Sequence, residues 1–239
     1  PFRGPSLLTL YDLSHQRYPE CHPTSRVRHL NRNLPINIEK ATSLLTVSNY
    51  SKRKIEQAFL PDKPIEVVYP GVDPSFFEAG TTLNDASRRE LRLPCRYILS
   101  LATFEPRKNV DRLLDAFLQL PESVRKANTL VLAGCSGWNN SGLSRRLMAL
   151  ERLGEVRRLG YVPQRLLPFL YANATLCVYV SLYEGFGMPV AEAMASGTPV
   201  ITSDRTSLPE VGGDAAMLVN PESVPEMSAA MRRLIENPS

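Results

Sequence analysis

The sequence predicts an α/β fold, a doubly wound parallel sheet preceded by a fragment of a second sheet. Three observations carry this. From Tyr97 onward, short apolar runs alternate strictly with helical stretches, the pattern of βα units. The runs are continuous in Leu, Val and Ile rather than alternating, as strands covered on both faces require. The turns that follow them carry glycine or basic residues just ahead of a helix, where ligand crevices form in such sheets. At 239 residues and 43% hydrophobic composition, the chain can bury one large core or two small ones.

Taken in order, Leu7–Leu10 is a strand with Tyr11, Asp12 and Leu13 at its C-terminal end. Residues 14–23 are polar and punctuated by proline, which predicts a loop. Residues 24–41 predict a helix broken at Pro35, because proline lacks the N–H a helix interior needs. Leu44–Val47 is a second strand, Ser48 caps a helix running to Phe59, and Ile65–Tyr69 is a third strand. Pro70–Phe77, with turn residues around a small apolar patch, reads as a hinge, and a polar segment from Gly80 to Arg92 follows. Strands are then expected at 97–101, 129–133, 156–160, 175–180, 198–202 and 215–219. Helices are expected near 109–120, 142–153, 164–172, 189–196, 206–211 and 223–236. The expected division is residues 1–76 as a remnant of one domain with its linker and 77–239 as a second domain. Three strands make a half-sheet, so either the sequence is part of a longer chain or another polypeptide completes it.

The net charge of +4 is modest and interleaved with acids, which favours an anionic ligand or a membrane surface over nucleic acid. Arg145, Arg146, Arg152, Arg157 and Arg158 could meet anionic lipid, although a solvated helix face explains them more simply. Cys21, Cys95, Cys135 and Cys177 form no C-x-x-C pair; Cys135 and Cys177 read as core thiols, which suits a reducing, cytoplasmic setting. No apolar run is long enough to span a bilayer. His15, His22 and His29 recur every seven residues, but Pro19 and Pro23 interrupt any shared helix and leave them as loop histidines.

The chemistry gathers in the turns. In Ser181–Pro199, Gly185 and Gly187 bracket a tight turn, Pro189 opens a helix and Gly197 ends it. A strand, a glycine turn and a helix N-terminus together build an anion-binding corner. Arg107 and Lys108 stand in the first turn of the regular domain, suited to a diphosphate or, equally on that motif alone, to plain solvation. Gly134 and Gly137 permit close backbone approach, Trp138 reads by itself as a packing residue, and Tyr161 either stacks on a ligand or packs. Glu184 and Glu192 flank the corner. A carboxylate beside a phosphate is costly unless it accepts hydroxyl protons, so sugar hydroxyls, a hexose at Glu184 and a ribose diol at Glu192, account for both; solvated carboxylates are the alternative.

These motifs together, Glu105-Pro-Arg-Lys-Asn109, Gly134 with Gly137-Trp138, Tyr183-Glu-Gly-Phe-Gly-Met-Pro189, Glu192-Ala-Met194, Gly197-Thr-Pro-Val200 and Leu208-Pro-Glu-Val-Gly-Gly-Asp214, resemble a retaining glycosyltransferase of family four, the group 1 glycosyltransferases that include bacterial mannosyltransferases. The resemblance runs from about Leu7 to the end, and two glutamates with seven residues between them are its signature. It implies a B-type fold of two Rossmann-like domains, with residues 1–76 left from the N-terminal, acceptor-side domain and 77–239 forming the C-terminal donor-binding domain. It further implies that Glu184, Arg107 and Lys108 are the catalytic residues. Arg107, Lys108, Gly134, Tyr161, Val162, Glu184, Gly185, Phe186, Gly187, Met188, Pro189 and Glu192 would bind the donor. That donor would be GDP-mannose or a UDP-hexose, with no separate cofactor and no metal, and the acceptor a glycan or lipid-linked sugar, used in polysaccharide biosynthesis at or near the cytoplasmic face of a membrane. A nucleotide-sugar-binding subunit without activity of its own, or a B-fold epimerase, are the rival readings. The sequence departs from the family pattern at Tyr11, where relatives often carry His, at Ala102, where they often carry Gly, and at Val180 in place of a common proline.

Overall fold

Two parallel sheets carry the chain, in a computed structural model that describes residues 4–78, 85–135 and 141–237. The first has three strands in the order β1 (Leu7–Leu10), β2 (Ser43–Thr46) and β3 (Ile65–Val67). Between them run α1 (Ser14–Arg17), α2 (Thr24–Lys40) and α3 (Asn49–Phe59). Leu10, Leu34, Ile38, Leu44, Ile55 and Ile65 fill the core between this sheet and its helices.

Two expectations for this unit are corrected. Helix α2 is continuous through Pro35, with Leu34 and Ile38 both buried on one side. Anchoring that face in the core outweighs the hydrogen bond that proline removes. Residues 14–23 are not an open loop: they hold α1 and a 3-10 turn at Pro19–Cys21, with His15 and Cys21 buried. His15 therefore belongs to a helix and a packed interior rather than to a loop. Ser48 caps α3 as expected, accepting from the Ser51 amide at 3.0 Å.

The connection leads through α4 (Ser75–Glu78) and α5 (Asp85–Leu91) to the second sheet. Its elements are β4 (Tyr97–Leu101), α6 (Val110–Leu118), α7 (Glu122–Ala127), β5 (Thr129–Ala133), α8 (Ser141–Arg152), β6 (Val156–Gly160), α9 (Leu167–Ala172), β7 (Leu176–Tyr179), α10 (Met188–Ala195), β8 (Val200–Ser203), α11 (Leu208–Gly212), β9 (Ala216–Val219) and α12 (Val224–Glu236). The helices α5 and α7 lie where the sequence reading placed only connecting segments.

All six strands are parallel, in the order β6-β5-β4-β7-β8-β9. The chain steps outward from β4 to β6, then returns to the other side of β4 with β7, so the order reverses between β4 and β7, the point above whose C-terminal strand ends such sheets form their ligand crevice. The inner strands β5, β4, β7 and β8 are buried on both faces, while the edge strands β6 and β9 are only part-buried. Ile98, Leu130, Leu176 and Val178 point into one core, while Tyr97, Leu99, Val131, Cys177 and Tyr179 point into the other. Each fully buried Leu or Val contributes about 2 kcal/mol of hydrophobic stabilisation. Phe76 of α4, 1% exposed, already belongs to the second of these cores, so the link between the units ends embedded in the larger one.

Cys177 is a core thiol as expected, but Cys135, at the end of β5, is exposed. Arg146 pairs with Asp111 and Asp115, and Arg158 with Glu151, so two of the five clustered arginines are satisfied locally. No helix among the described residues is long and apolar enough to cross a membrane.

Candidate active site

The crevice is built from the turns after β4 and β7. The first carries Glu105, a 3-10 turn at Pro106–Lys108, and Asn109 in the left-handed region at φ 61°. Asn109 is 3% exposed and fixes this turn to its neighbour. Its amide nitrogen donates to the carbonyls of Val180 (3.1 Å) and Pro221 (2.6 Å). The Leu182 amide returns a bond to the Arg107 carbonyl at 2.8 Å. Sequence reading missed this anchor, for which an Asn at a helix start was the available sign.

The two turns meet through charge. Glu184 is 7% exposed. Its Oε1 accepts from Lys108 Nζ at 2.5 Å and from the Tyr179 hydroxyl at 2.8 Å; its Oε2 accepts from Arg107 at 3.2 Å. Arg107 also pairs with Glu105 at 2.7 Å and donates to the Tyr183 carbonyl at 3.0 Å. Two cations and two anions are thus packed into one compact group. Burial opposes the Glu184 charge, but Lys108 and Arg107 outweigh it and hold the carboxyl below its ordinary value. Burial likewise opposes the Arg107 charge, and Glu184 with Glu105 reverses that. Tyr179 is driven well above the ordinary phenol range, first by burial and then by Glu184, so it stays a hydrogen-bond donor. Lys108 and Tyr179 thus meet Oε1 and Arg107 meets Oε2, and the neighbouring Ser181 hydroxyl adds to the lowering of the Glu184 pKa.

Beyond Glu184 the chain turns into α10. Thr206 Oγ1 accepts from the Glu184 amide at 3.3 Å, and the Ser207 hydroxyl reaches the carbonyls of Glu184 (3.1 Å) and Phe186 (2.7 Å). Among the described residues none accepts a hydrogen bond from the backbone N–H of Gly185, Phe186, Gly187 or Met188. These amides surround the N-terminus of α10, where Gly187 adopts φ 122° and Pro189 sits in the first turn. Gly197 closes the helix at φ 70°: its amide bonds to the Met194 carbonyl and that of Thr198 to Ala193, the paired pattern of a left-handed helix stop.

The first unit forms the opposite wall. The hydroxyls of Ser48 and Ser51 both donate to the Gly185 carbonyl, at 2.6 and 3.0 Å. A Cβ on Gly185 would lie 2.3 Å from the Tyr11 carbonyl oxygen, so glycine is needed there for the close approach of the two units. Tyr183 accepts from the Leu13 amide at 3.3 Å, and its ring packs on Tyr18 and Tyr50 at centroid distances of 5.7 and 6.0 Å.

Glu192 lies on α10, apart from this charged group. The Tyr171 hydroxyl donates to its Oε2 at 2.9 Å. Burial raises the Glu192 pKa, and the Tyr171 bond opposes the rise. At the third turn, Tyr161 is 75% exposed on the rim, while the Val162 side chain is core, which leaves its backbone to meet a ligand. Gly134 adopts φ 130°, and a Cβ there would sit 2.0 Å from the Ala102 carbonyl oxygen; its lack of a side chain answers to a neighbouring turn. Gly137 and Trp138 lie outside the described residues. Among the described residues, no group of three or more His, Cys, Asp and Glu is placed to hold a metal ion.

Residues 85–239 match the family described as Glycosyl transferases group 1. The chain belongs to that family. It is 36% identical over 236 residues to O-antigen chain mannosyltransferase B of Escherichia coli, across 98% of this chain and 62% of the relative. The chain thus spans less than two thirds of that relative's length. Among solved structures it superposes on WaaG, a glycosyltransferase involved in lipopolysaccharide biosynthesis, with TM-score 0.80 and 18% identity, over 98% of this chain and 67% of that one. It also superposes on Anabaena HepE in complex with UDP and glucose, with TM-score 0.77 and 23% identity, over 98% of this chain and 63% of that one. At such identities the superpositions concern the fold, and they agree with the B-type arrangement of two Rossmann-like units that the motifs imply.

Proposed function

We propose that this chain forms the donor side of a retaining hexosyltransferase that moves mannose from a nucleoside-diphosphate sugar to a glycan or lipid-linked acceptor during polysaccharide synthesis. The observation that carries this is the convergence of Arg107, Lys108, Glu184 and the unpaired amides of Gly185–Met188 on one crevice, above the point where strand order reverses. Mannose is favoured because the relative matched along 98% of the chain is a mannosyltransferase. A UDP-hexose is the second reading, since the superposed HepE was solved with UDP and glucose.

In this reading the diphosphate lies between Arg107, Lys108 and the N-terminus of α10. The guanidinium, the ammonium and the oriented amides stabilise the charge that builds on the departing nucleoside diphosphate. The Glu184 Oε2 accepts a hexose hydroxyl and fixes the sugar's orientation, while the Glu105 and Glu184 carboxylates hold both cations in place before the ligand arrives. Glu192 accepts the ribose diol. No step in this reading calls on a metal, because the residues themselves supply the positive charge. The acceptor approaches from the first unit's side.

Calorimetric titration of GDP, UDP, GDP-mannose and UDP-glucose, with Lys108→Ala and Glu192→Ala beside the unaltered chain, tests the assignment. Each variant is expected to weaken binding by about tenfold or more, a loss of one charged contact. Unchanged affinity in both variants overturns the donor site. Transfer assays on this chain and on the complete gene product then show whether the acceptor side is contained here.

A further inference from the structure

We propose that Tyr171 is a positioning residue for Glu192, clamping Oε2 of the carboxylate through its hydroxyl so that Oε1 is presented to the ribose hydroxyls of the nucleotide. The inference rests on the donor reading above and assigns it a residue that touches no ligand.

Tyr171 lies in the last turn of α9 and is 0% exposed. Among the described residues its hydroxyl has one partner, Glu192 Oε2 at 2.9 Å. Among the described residues the other oxygen, Oε1, has no donor. The tyrosine itself is held from several sides. The Phe76 ring packs on it at a centroid distance of 5.9 Å. The Thr198 hydroxyl donates to its carbonyl at 2.7 Å, and the Tyr97 hydroxyl donates to the adjacent Leu170 carbonyl at 2.7 Å. A glutamate on the surface of a helix has three rotatable bonds and no reason to keep one orientation; a phenol fixed by its neighbours supplies that reason.

The direction of the bond is also settled. Burial, then Cys177 and Glu192, raise the Tyr171 pKa well above the ordinary phenol value, so the hydroxyl donates and the carboxylate accepts. That bond further opposes the tendency of burial to protonate Glu192. A neutral Glu192 would offer the diol a weaker acceptor, so the phenol keeps both the direction and the charge of the carboxylate. Phe76 comes from the link between the two units, which places this support at the joint that any rearrangement of the units must pass through.

The test compares the nucleoside diphosphate, GDP or UDP, that the unaltered chain binds more tightly with its 2′,3′-dideoxy counterpart. Tyr171→Phe removes a single oxygen. It is expected to weaken the ribonucleotide about five- to tenfold, the scale of one buried hydrogen bond, and to leave the dideoxynucleotide unchanged. Glu192→Gln should show the same selectivity, and Tyr171→Phe should add nothing further on that background. Glu192→Asp, whose shorter carboxylate falls away from the phenol, should lose the same ribose-dependent increment and serves if Tyr171→Phe does not fold. Equal weakening of both nucleotides by Tyr171→Phe assigns it to packing and overturns the proposal, as does unchanged ribonucleotide affinity while Glu192→Gln loses it. If Glu192→Gln has no effect on either ligand, the ribose assignment itself fails.

Discussion

The Glu210 carboxylate, carried by the second unit, accepts from the backbone amide of Asn49 at 2.7 Å, at the first residue of α3 in the first unit. It also takes the Tyr50 amide at 3.0 Å, the Asn49 side-chain amide at 2.9 Å and the Tyr69 hydroxyl at 2.8 Å. An acid from one unit thus caps a helix of the other, where the macrodipole favours negative charge. Glu210→Ala is expected to cost about 1 kcal/mol, the usual value of a cap. Urea titration should show a lower midpoint at an unchanged slope. No shift in midpoint would mean that the contact is not held in solution.

Acid should unfold the chain in two stages. Burial lowers the pKa values of His15 and His22. The unfolded chain therefore takes up protons at those sites first, and their share of stability is lost as pH falls below about 6.5. Glu184 and Glu210 are also held below their ordinary values, the first by Lys108 and Arg107 against burial, the second by the Asn49 and Tyr50 amides and Tyr69 against burial. Their contribution is present above the ordinary carboxylate value, about 4.3, and is lost as pH falls through the lower folded values. Melting temperature measured from pH 8 to pH 3 should decline in both windows. Glu184→Gln should flatten the lower one, and an unaltered acid limb in that variant would count against the charged group as a source of stability.

The charged group also predicts non-additivity. Lys108→Met leaves Glu184 buried with Arg107 as its remaining cation, and loss of one partner from a buried pair costs about 3 kcal/mol. In the double variant Lys108→Met with Glu184→Gln, the uncompensated charge is gone, so stability should recover by a large part of that amount. Nucleotide affinity should not recover, because the cation is still missing. Simple addition of the two single losses would show that the residues do not act together.

How far the sequence reveals this molecule depends on what kind of pattern each feature leaves. The inner strands β4, β5, β7 and β8 are legible because a strand buried on both faces must be a run of apolar residues, and Leu99, Val131 and Val178 follow that rule, whereas β6 at the sheet edge carries Arg157 and Arg158. The glycine corner is legible because Gly187 at φ 122° and Gly197 at φ 70° meet backbone needs that few other residues can. Pro35 misled because its local cost is visible in sequence while the packing of Leu34 and Ile38 that offsets it is not. Cys135 misled in the same way, since an apolar run does not show where burial ends. The contacts of Asn109, Ser48, Tyr171 and Glu210 join residues 71, 137, 21 and 161 positions apart, and no local pattern reports such pairs.

Gly185 ties the site to the seam between the units, and its substitution separates the two roles a glycine can have. Gly185→Ala would push a methyl group to 2.3 Å from the Tyr11 carbonyl oxygen and 2.8 Å from Asp12 Cβ, and backbone cannot yield as a flexible side chain does. Overpacking of this kind costs about 1–3 kcal/mol. It should also displace the Gly185 carbonyl from Ser48 and Ser51 and turn the amides of the corner away from a bound diphosphate. Stability and nucleotide affinity are therefore expected to fall together. Gly71→Ala is the matched control, because a Cβ there meets nothing within 4 Å. It removes the same backbone freedom from the unfolded chain, should be neutral to slightly stabilising, and should leave affinity unchanged. A Gly185→Ala chain that binds nucleotide normally would show that the seam and the corner are uncoupled, and that the first unit does not brace the donor site.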